Sequence, residues 1–122
     1  MTTYTEGFRP TEIILSEANG TLSREKITIA SGAGVLAAGT ILGKVTASGK
    51  YIAYNNTAAD GSQAAAAVLL YPVDATSADV STTAIVRFAE LKSGAVVWAS
   101  TNDAGDKTAG IADLAALNIF IR

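Results

Sequence analysis

Cysteine and histidine are both absent from this chain. The first absence excludes disulfides, thiolate nucleophiles and cysteine metal ligands. The second removes the side chain most used for proton transfer near neutral pH and the commonest zinc ligand. Catalysis by carboxylate, lysine or serine remains open, but the expectation is a protein that is not an enzyme and holds no metal or cofactor. Basic residues are also few: nine Lys and Arg stand against eleven Asp and Glu, for a net charge of −2 and a pI near 4.9. They are scattered, so no basic face meets a phosphate backbone and direct nucleic-acid binding is not expected. No apolar run approaches the roughly 20 residues that span a bilayer as a helix. The opening, Met1 to Glu6, is polar and leads into no signal region, so a soluble protein without an export peptide is expected.

A length of 122 residues suits one domain and is short for two independent cores. Hydrophobic residues make up 49%, but 24 positions are alanine and only 7% are aromatic. Burial stabilises by about 25 cal/mol per Å² of apolar surface, and alanine offers little. The composition hints weakly at a partner surface that completes the core.

Glycine carries most of the punctuation, because there are only two prolines. Asn19-Gly20 marks a turn, since both residues tolerate positive φ. Lys26 to Ala30 alternates polar and apolar, as a half-buried strand does. Thr40 to Thr46 and Lys50 to Tyr54 read as two strands joined at Ser48-Gly49, and Asn55 to Ser62 as a loop. Ala64 to Val73 is ambiguous. Its alanines favour helix, while Val68 to Val73 favours a buried strand ending near Pro72, and the strand is preferred. Val80 to Ala89 and Ala95 to Ala99 read as further strands around a turn at Ser93-Gly94. Thr108 to Leu117 is the one helix candidate, capped by Asp106 or Thr108 and ended by Asn118, before a last strand at Ile119 to Ile121.

Three motifs invite a functional reading. Gly32-Ala33-Gly34-Val35-Leu36-Ala37 matches the dinucleotide pattern G-x-G-x-x-[GA], but Gly39, Thr40, Ile41 and Gly43 argue against the helix it requires. The acidic residue expected about 20 positions on is also missing. Tight turns between short strands explain these glycines better. Asn102 to Asp106 resembles a fragment of a calcium loop, yet lacks the alternating acidic ligands and closing glutamate; a turn and helix cap fit better. Trp98, among Val96, Val97 and Ala99, reads first as a core residue and second as an interface residue, since tryptophan is frequent at contact hot spots. No G-x-S-x-G or S-x-x-K pattern supports a serine nucleophile, and no paired carboxylate motif is present.

The polar leader carries isolated hydrophobes at Tyr4, Phe8, Ile13, Ile14 and Leu15, with Pro10 between them. It cannot bury much on its own; a segment of this kind can bind by adding a strand to an exposed sheet edge, and a plain disordered tail fits the residues equally well. An arm over residues 1–20 and a β-rich domain over 21–122 are therefore expected, with the first ten residues mobile in the free protein.

From Ile13 onward the chain resembles the head decoration proteins of lambda-like tailed phages. Leu22-Ser23-Arg24-Glu25-Lys26-Ile27-Thr28-Ile29-Ala30-Ser31-Gly32, followed by Val35 to Gly43, is similar to that family's opening. Gly49-Lys50-Tyr51, Asp60-Gly61-Ser62 and Val68 to Ala75 continue the likeness, and Leu117 to Arg122 resembles its ending. Order and spacing together are more specific than any one motif. The resemblance implies a mainly β, β-clip-like small barrel or sheet domain with one short C-terminal helix and a mobile N-terminal arm. It implies a homotrimer on the outer face of the capsid at local threefold sites, bound to the major capsid protein and stabilising the shell against DNA pressure. The capsid-binding residues would be Tyr4, Phe8, Pro10, Ile13, Ile14 and Leu15. It places the protein in the virion after synthesis in the bacterial cytoplasm. The glycine-punctuated stretch Gly20 to Gly39 is longer than in the short lambda-type member. Two alternatives are a tail- or fibre-associated β-module and, more distantly, a trimeric enzyme similar to a dUTPase, whose D-x-G-x-x-G-like acidic context and phosphate loops are not found here.

Overall fold

The computed structural model describes residues 11–122. Ten strands and one helix follow in chain order: β1 (Ile14–Glu17), β2 (Arg24–Ile29), β3 (Gly34–Leu36), β4 (Ile41–Lys44), β5 (Tyr51–Ala53), β6 (Ala65–Leu69), β7 (Val73–Ala75), β8 (Val80–Ile85), β9 (Ala89–Leu91), α1 (Ala104–Ala116) and β10 (Ile119–Ile121). The protein is mainly β with one short helix near the C-terminus, as expected. Five strands close a barrel in the order β2-β5-β4-β6-β8; β1, β9 and β10 form a separate sheet in the order β1-β9-β10, and β3 pairs with β7.

All five barrel strands send alternate residues into one cluster that includes Ile27, Ile29, Leu42, Ala67, Leu69 and Ala84. That cluster is the barrel's filling. A barrel of five strands is narrow, and small side chains fit where large ones would collide. Ala67 and Ala84 are small residues at such positions. On the opposite face of the same strands, Ile41, Val68 and Ile85 join Ile13, Leu91, Leu114 and Ile119 in a second cluster beneath the three-stranded sheet and the helix. β6 is therefore buried on both faces. Its sequence reads as an unbroken apolar run for that reason, and the alternation that marks a half-buried strand is lost.

The boundaries differ from expectation in four places. The run from Ala64 to Val73 splits: β6 belongs to the barrel and β7 resumes after Pro72 in the pairing with β3. The run from Val80 to Ala89 also splits, because Phe88 takes φ +51° and turns the chain into another sheet. Ala95 to Ala99 is no strand. Only an isolated parallel bridge joins Val97 to Thr40, with Ile41 N donating to Val97 O (3.0 Å) and Val97 N to Gly39 O (2.9 Å). A Cβ on Gly39 would lie 2.4 Å from Ala95 O, so the close approach requires glycine.

The helix starts four residues before Thr108. Asp103 is its cap: the side chain accepts from Asp106 N (2.9 Å), while the Asp106 carboxylate accepts from Asp103 N (3.1 Å). This reciprocal box satisfies two amides left without helical partners. Asn118 follows the helix in the left-handed region at φ +61°, as its role in ending it requires. The helix seats Gly110 against the barrel, where a Cβ would meet Trp98 Cζ3 at 2.8 Å and Tyr54 Cε1 at 3.0 Å. Asp113 Oδ2 accepts from Ala65 N (3.1 Å), tying helix to barrel.

Candidate functional site

The motifs with a chemical reading become structural in three dimensions. Gly32 and Gly34 both have positive φ and lead into β3, with no helix at their amides. Asn102 to Asp106 is the helix cap, and Asn102 is buried with Nδ2 donating to Tyr54 O (2.8 Å). Among the described residues no group of three acidic side chains could hold a metal ion. Trp98 is half-buried, packed edge-on against Tyr54 at 5.9 Å between centroids and 68° between planes. Its core contacts match the first reading of this residue. The Tyr54 hydroxyl faces two acceptors, Asp106 O at 2.9 Å and Asn56 Oδ1 at 3.1 Å. Burial, reinforced by Asp113 and Asp106, raises its pKa and keeps it a donor.

Tyr4, Phe8 and Pro10 lie outside the described residues. The remaining leader residues divide. Ile13 is only 3% exposed and sits in the cluster under the three-stranded sheet, with Ile14 packed against it. Leu15 points outward at 50% exposure. β1 pairs antiparallel with β9, matching Ile14 to Leu91 and Glu17 to Ala89 around a bulge. The stretch from 14 to 17 is thus an edge strand of the folded body.

The outer face of this sheet is the most distinctive surface. Ser16, Glu90 and Phe120 lie side by side across the three strands. Ser16 Oγ donates to Glu90 Oε1 (3.1 Å), Arg122 Nε pairs with Glu90 Oε2 (2.6 Å), and the Arg122 guanidinium stands 5.7 Å from the Phe120 ring centroid. Phe88 and Phe120 remain 46% and 40% exposed. They rim a shallow depression of about 270 Å³, lined also by Ser16, Ala89, Glu90 and Asn118.

Phe88 is held in this position. A bulky residue at positive φ is strained, and such strain persists only where the surroundings over-determine it. Here the Phe88 carbonyl accepts from Ala18 N (3.2 Å) and from the hydroxyl of fully buried Ser23 (2.7 Å), which itself accepts from Ala18 N (2.9 Å). Sequence reasoning missed Phe88 and Phe120. The one available signal was two of the chain's few aromatics standing within two positions of an arginine, Phe88 after Arg87 and Phe120 before Arg122.

A larger depression of about 430 Å³ lies at one end of the barrel, lined mostly by small residues with Asp60 and Asn55. The Asp60 carboxyl is held below its usual range by hydrogen bonds from the Ser62 hydroxyl and amide, both of which donate to Oδ1.

An edge strand beside an exposed aromatic pair is a surface that a partner could use. The family described as bacteriophage lambda head decoration protein D matches residues 3–119. The chain belongs to that head decoration protein family. Membership makes it a phage capsid-associated structural protein, in a family that is not one of enzymes. No curated protein matches the chain.

Proposed function

We propose that this head decoration protein binds as a homotrimer to the exterior of the phage capsid at local threefold sites and stabilises the shell against internal DNA pressure without any covalent chemistry. It is made in the host cytoplasm and acts in the virion, with the major capsid protein as its partner. The family match across residues 3–119 carries this reading. The arm hypothesis narrows to Tyr4, Phe8, Pro10 and Leu15 as capsid contacts, because Ile13 and Ile14 are committed to the protein's own core. β1 has one strand neighbour in its sheet, which leaves an open edge suited to strand addition.

The stabilising effect would follow from linkage. A ligand that binds the assembled shell, and not its separated subunits, stabilises by RT ln(1 + [L]/Kd) per site, about 2.7 kcal/mol at a hundredfold excess over Kd. Three arms on one trimer act at high effective concentration once the first has docked. The test compares heat-induced DNA release from bare and decorated particles across a titration of protein, with sedimentation reporting the oligomer and the bound fraction. Release temperature should rise with occupancy, and removal of residues 1–10 should weaken binding while leaving the domain folded. Equal release temperatures at full occupancy would overturn the stabilising role and favour a tail or fibre component.

A further inference from the structure

Asparagine stands at positions 19, 55, 56, 102 and 118, and Asn19 alone is followed by glycine. The pair turns the chain between β1 and β2. Gly20 takes φ +68°, a conformation that glycine adopts without steric cost. The missing Cβ has a second effect. No heavy atom lies within 4 Å of the place a Cβ would occupy, and both residues are exposed. Among the described residues the Gly20 amide donates to no acceptor and the Asn19 side chain holds no partner.

We propose that Asn19 is a site of spontaneous modification, where the turn converts to aspartate and isoaspartate without an enzyme. Hydroxide or buffer base removes the Gly20 amide proton, and that nitrogen attacks Asn19 Cγ. An N–C bond forms, closing a succinimide. The Cγ–Nδ2 bond breaks and ammonia leaves with a proton from solvent. Water then adds to one of the two imide carbonyls and breaks its C–N bond. Opening at one carbonyl gives aspartate; opening at the other gives isoaspartate, with an extra methylene in the main chain. Nothing is oxidised or reduced.

The other candidates are restrained. Asn55 Oδ1 accepts from Thr57 N (3.1 Å) and Oγ1 (2.8 Å), Asn56 Nδ2 donates to Asp106 Oδ1 (2.9 Å), and Asn102 is buried on Tyr54 O. Asn118 precedes β-branched Ile119, which crowds the attacking nitrogen. The one Asp-Gly pair, Asp60-Gly61, is tied down: Gly61 N donates to Gln63 Oε1 (2.7 Å), and the Asp60 carboxylate accepts from Ser62.

The modified turn lies against the candidate surface. Its ends are clamped by Ala18 N on Ser23 Oγ and by the Glu17–Arg24 pair (2.8 Å), and Ser23 also holds the Phe88 carbonyl. Each event adds one negative charge to a chain of net charge −2.

The test holds the full-length protein at mildly alkaline pH and follows it by anion-exchange chromatography, peptide mapping and isoaspartyl methyltransferase labelling. The expected result is a later-eluting species whose added acidic residue maps to position 19, a mixture of both isomers, and faster conversion as pH rises. Asn19→Ser, which keeps a turn-compatible side chain, should yield no such species. The proposal is overturned if Asn19 stays intact while a free peptide of residues 16–24 converts. It is also overturned if another asparagine converts first, or if the serine variant ages like the parent.

Discussion

The barrel and the three-stranded sheet are both built from short strands, of up to six residues in the barrel and up to four in the sheet, yet they treat their edges in opposite ways. In the barrel every strand has two neighbours and no edge is left over, with the β2–β5 seam made by the single pair Ile29 and Tyr51. In the sheet only β9 has two; β1 and β10 end it on either side. The barrel can hide small residues efficiently, whereas the sheet has one covered face and one outer face bearing Ser16, Glu90, Phe120 and, at its corner, Phe88. Truncation inside the region without edges is expected to cost more than truncation beneath the open sheet. The region with edges keeps the surface that a partner could use.

The sharpest test of this division is truncation within each part. Leu69→Ala empties the middle of the closed barrel, where neighbours cannot collapse inward, and should cost about 4 kcal/mol. Ile13→Ala removes a similar volume beneath the sheet, whose edge strand can shift, and should cost about 2 kcal/mol. Urea unfolding of both variants gives the comparison directly. A larger loss at Ile13 than at Leu69 would reverse the assignment.

Between the two regions stands the helix, anchored by its cap. Asp103→Ala leaves the amide of Asp106 without its acceptor and should cost about 1 kcal/mol. The Trp98 ring packs where the helix meets Tyr54 and Gly110, so its fluorescence should report loosening there before the barrel's own circular dichroism changes. Coincident transitions by both probes would mean that helix and barrel unfold as one.

The smallest expected effect is electrostatic and lies on the barrel side. Asp79 accepts from Lys50 Nζ (2.6 Å) and from Ser31 N (2.8 Å), which together lower its pKa below the ordinary 3.8. A carboxyl lowered in the folded state contributes stability that is present above its unfolded pKa and lost as pH falls through the folded one. The pair is exposed, so the contribution is small and screened by salt. Asp79→Asn should lower the urea midpoint slightly at pH 7, and the difference from the parent should shrink as pH falls below about 3.8. An unchanged gap at low pH would assign the effect to lost packing.

Much of the fold was legible in residue order. The alternation at Lys26 to Ala30, the turns at Asn19-Gly20 and Ser48-Gly49, and the helix end at Asn118 are local signals, and local chemistry settles them. The absence of cysteine and histidine and the spaced motifs from Leu22 to Gly43 also stand in the sequence alone, and they point to a structural family. What the chain order could not decide was which runs divide and where side chains face. Val80 to Ala89 reads as one strand because every residue in it tolerates extended backbone. The hold of Ala18 N and of Ser23, 65 positions earlier, on the Phe88 carbonyl fixes its turn between two sheets. Ile13 reads as part of a free leader because the segment before it is polar and the apolar run Ile13 to Leu15 is short, yet its burial depends on Leu91, Leu114 and Ile119 from the far end of the chain. Those contacts exist only after the barrel has closed and brought β9, α1 and β10 beside β1, since burial is a property of the assembled packing and not of any window of sequence.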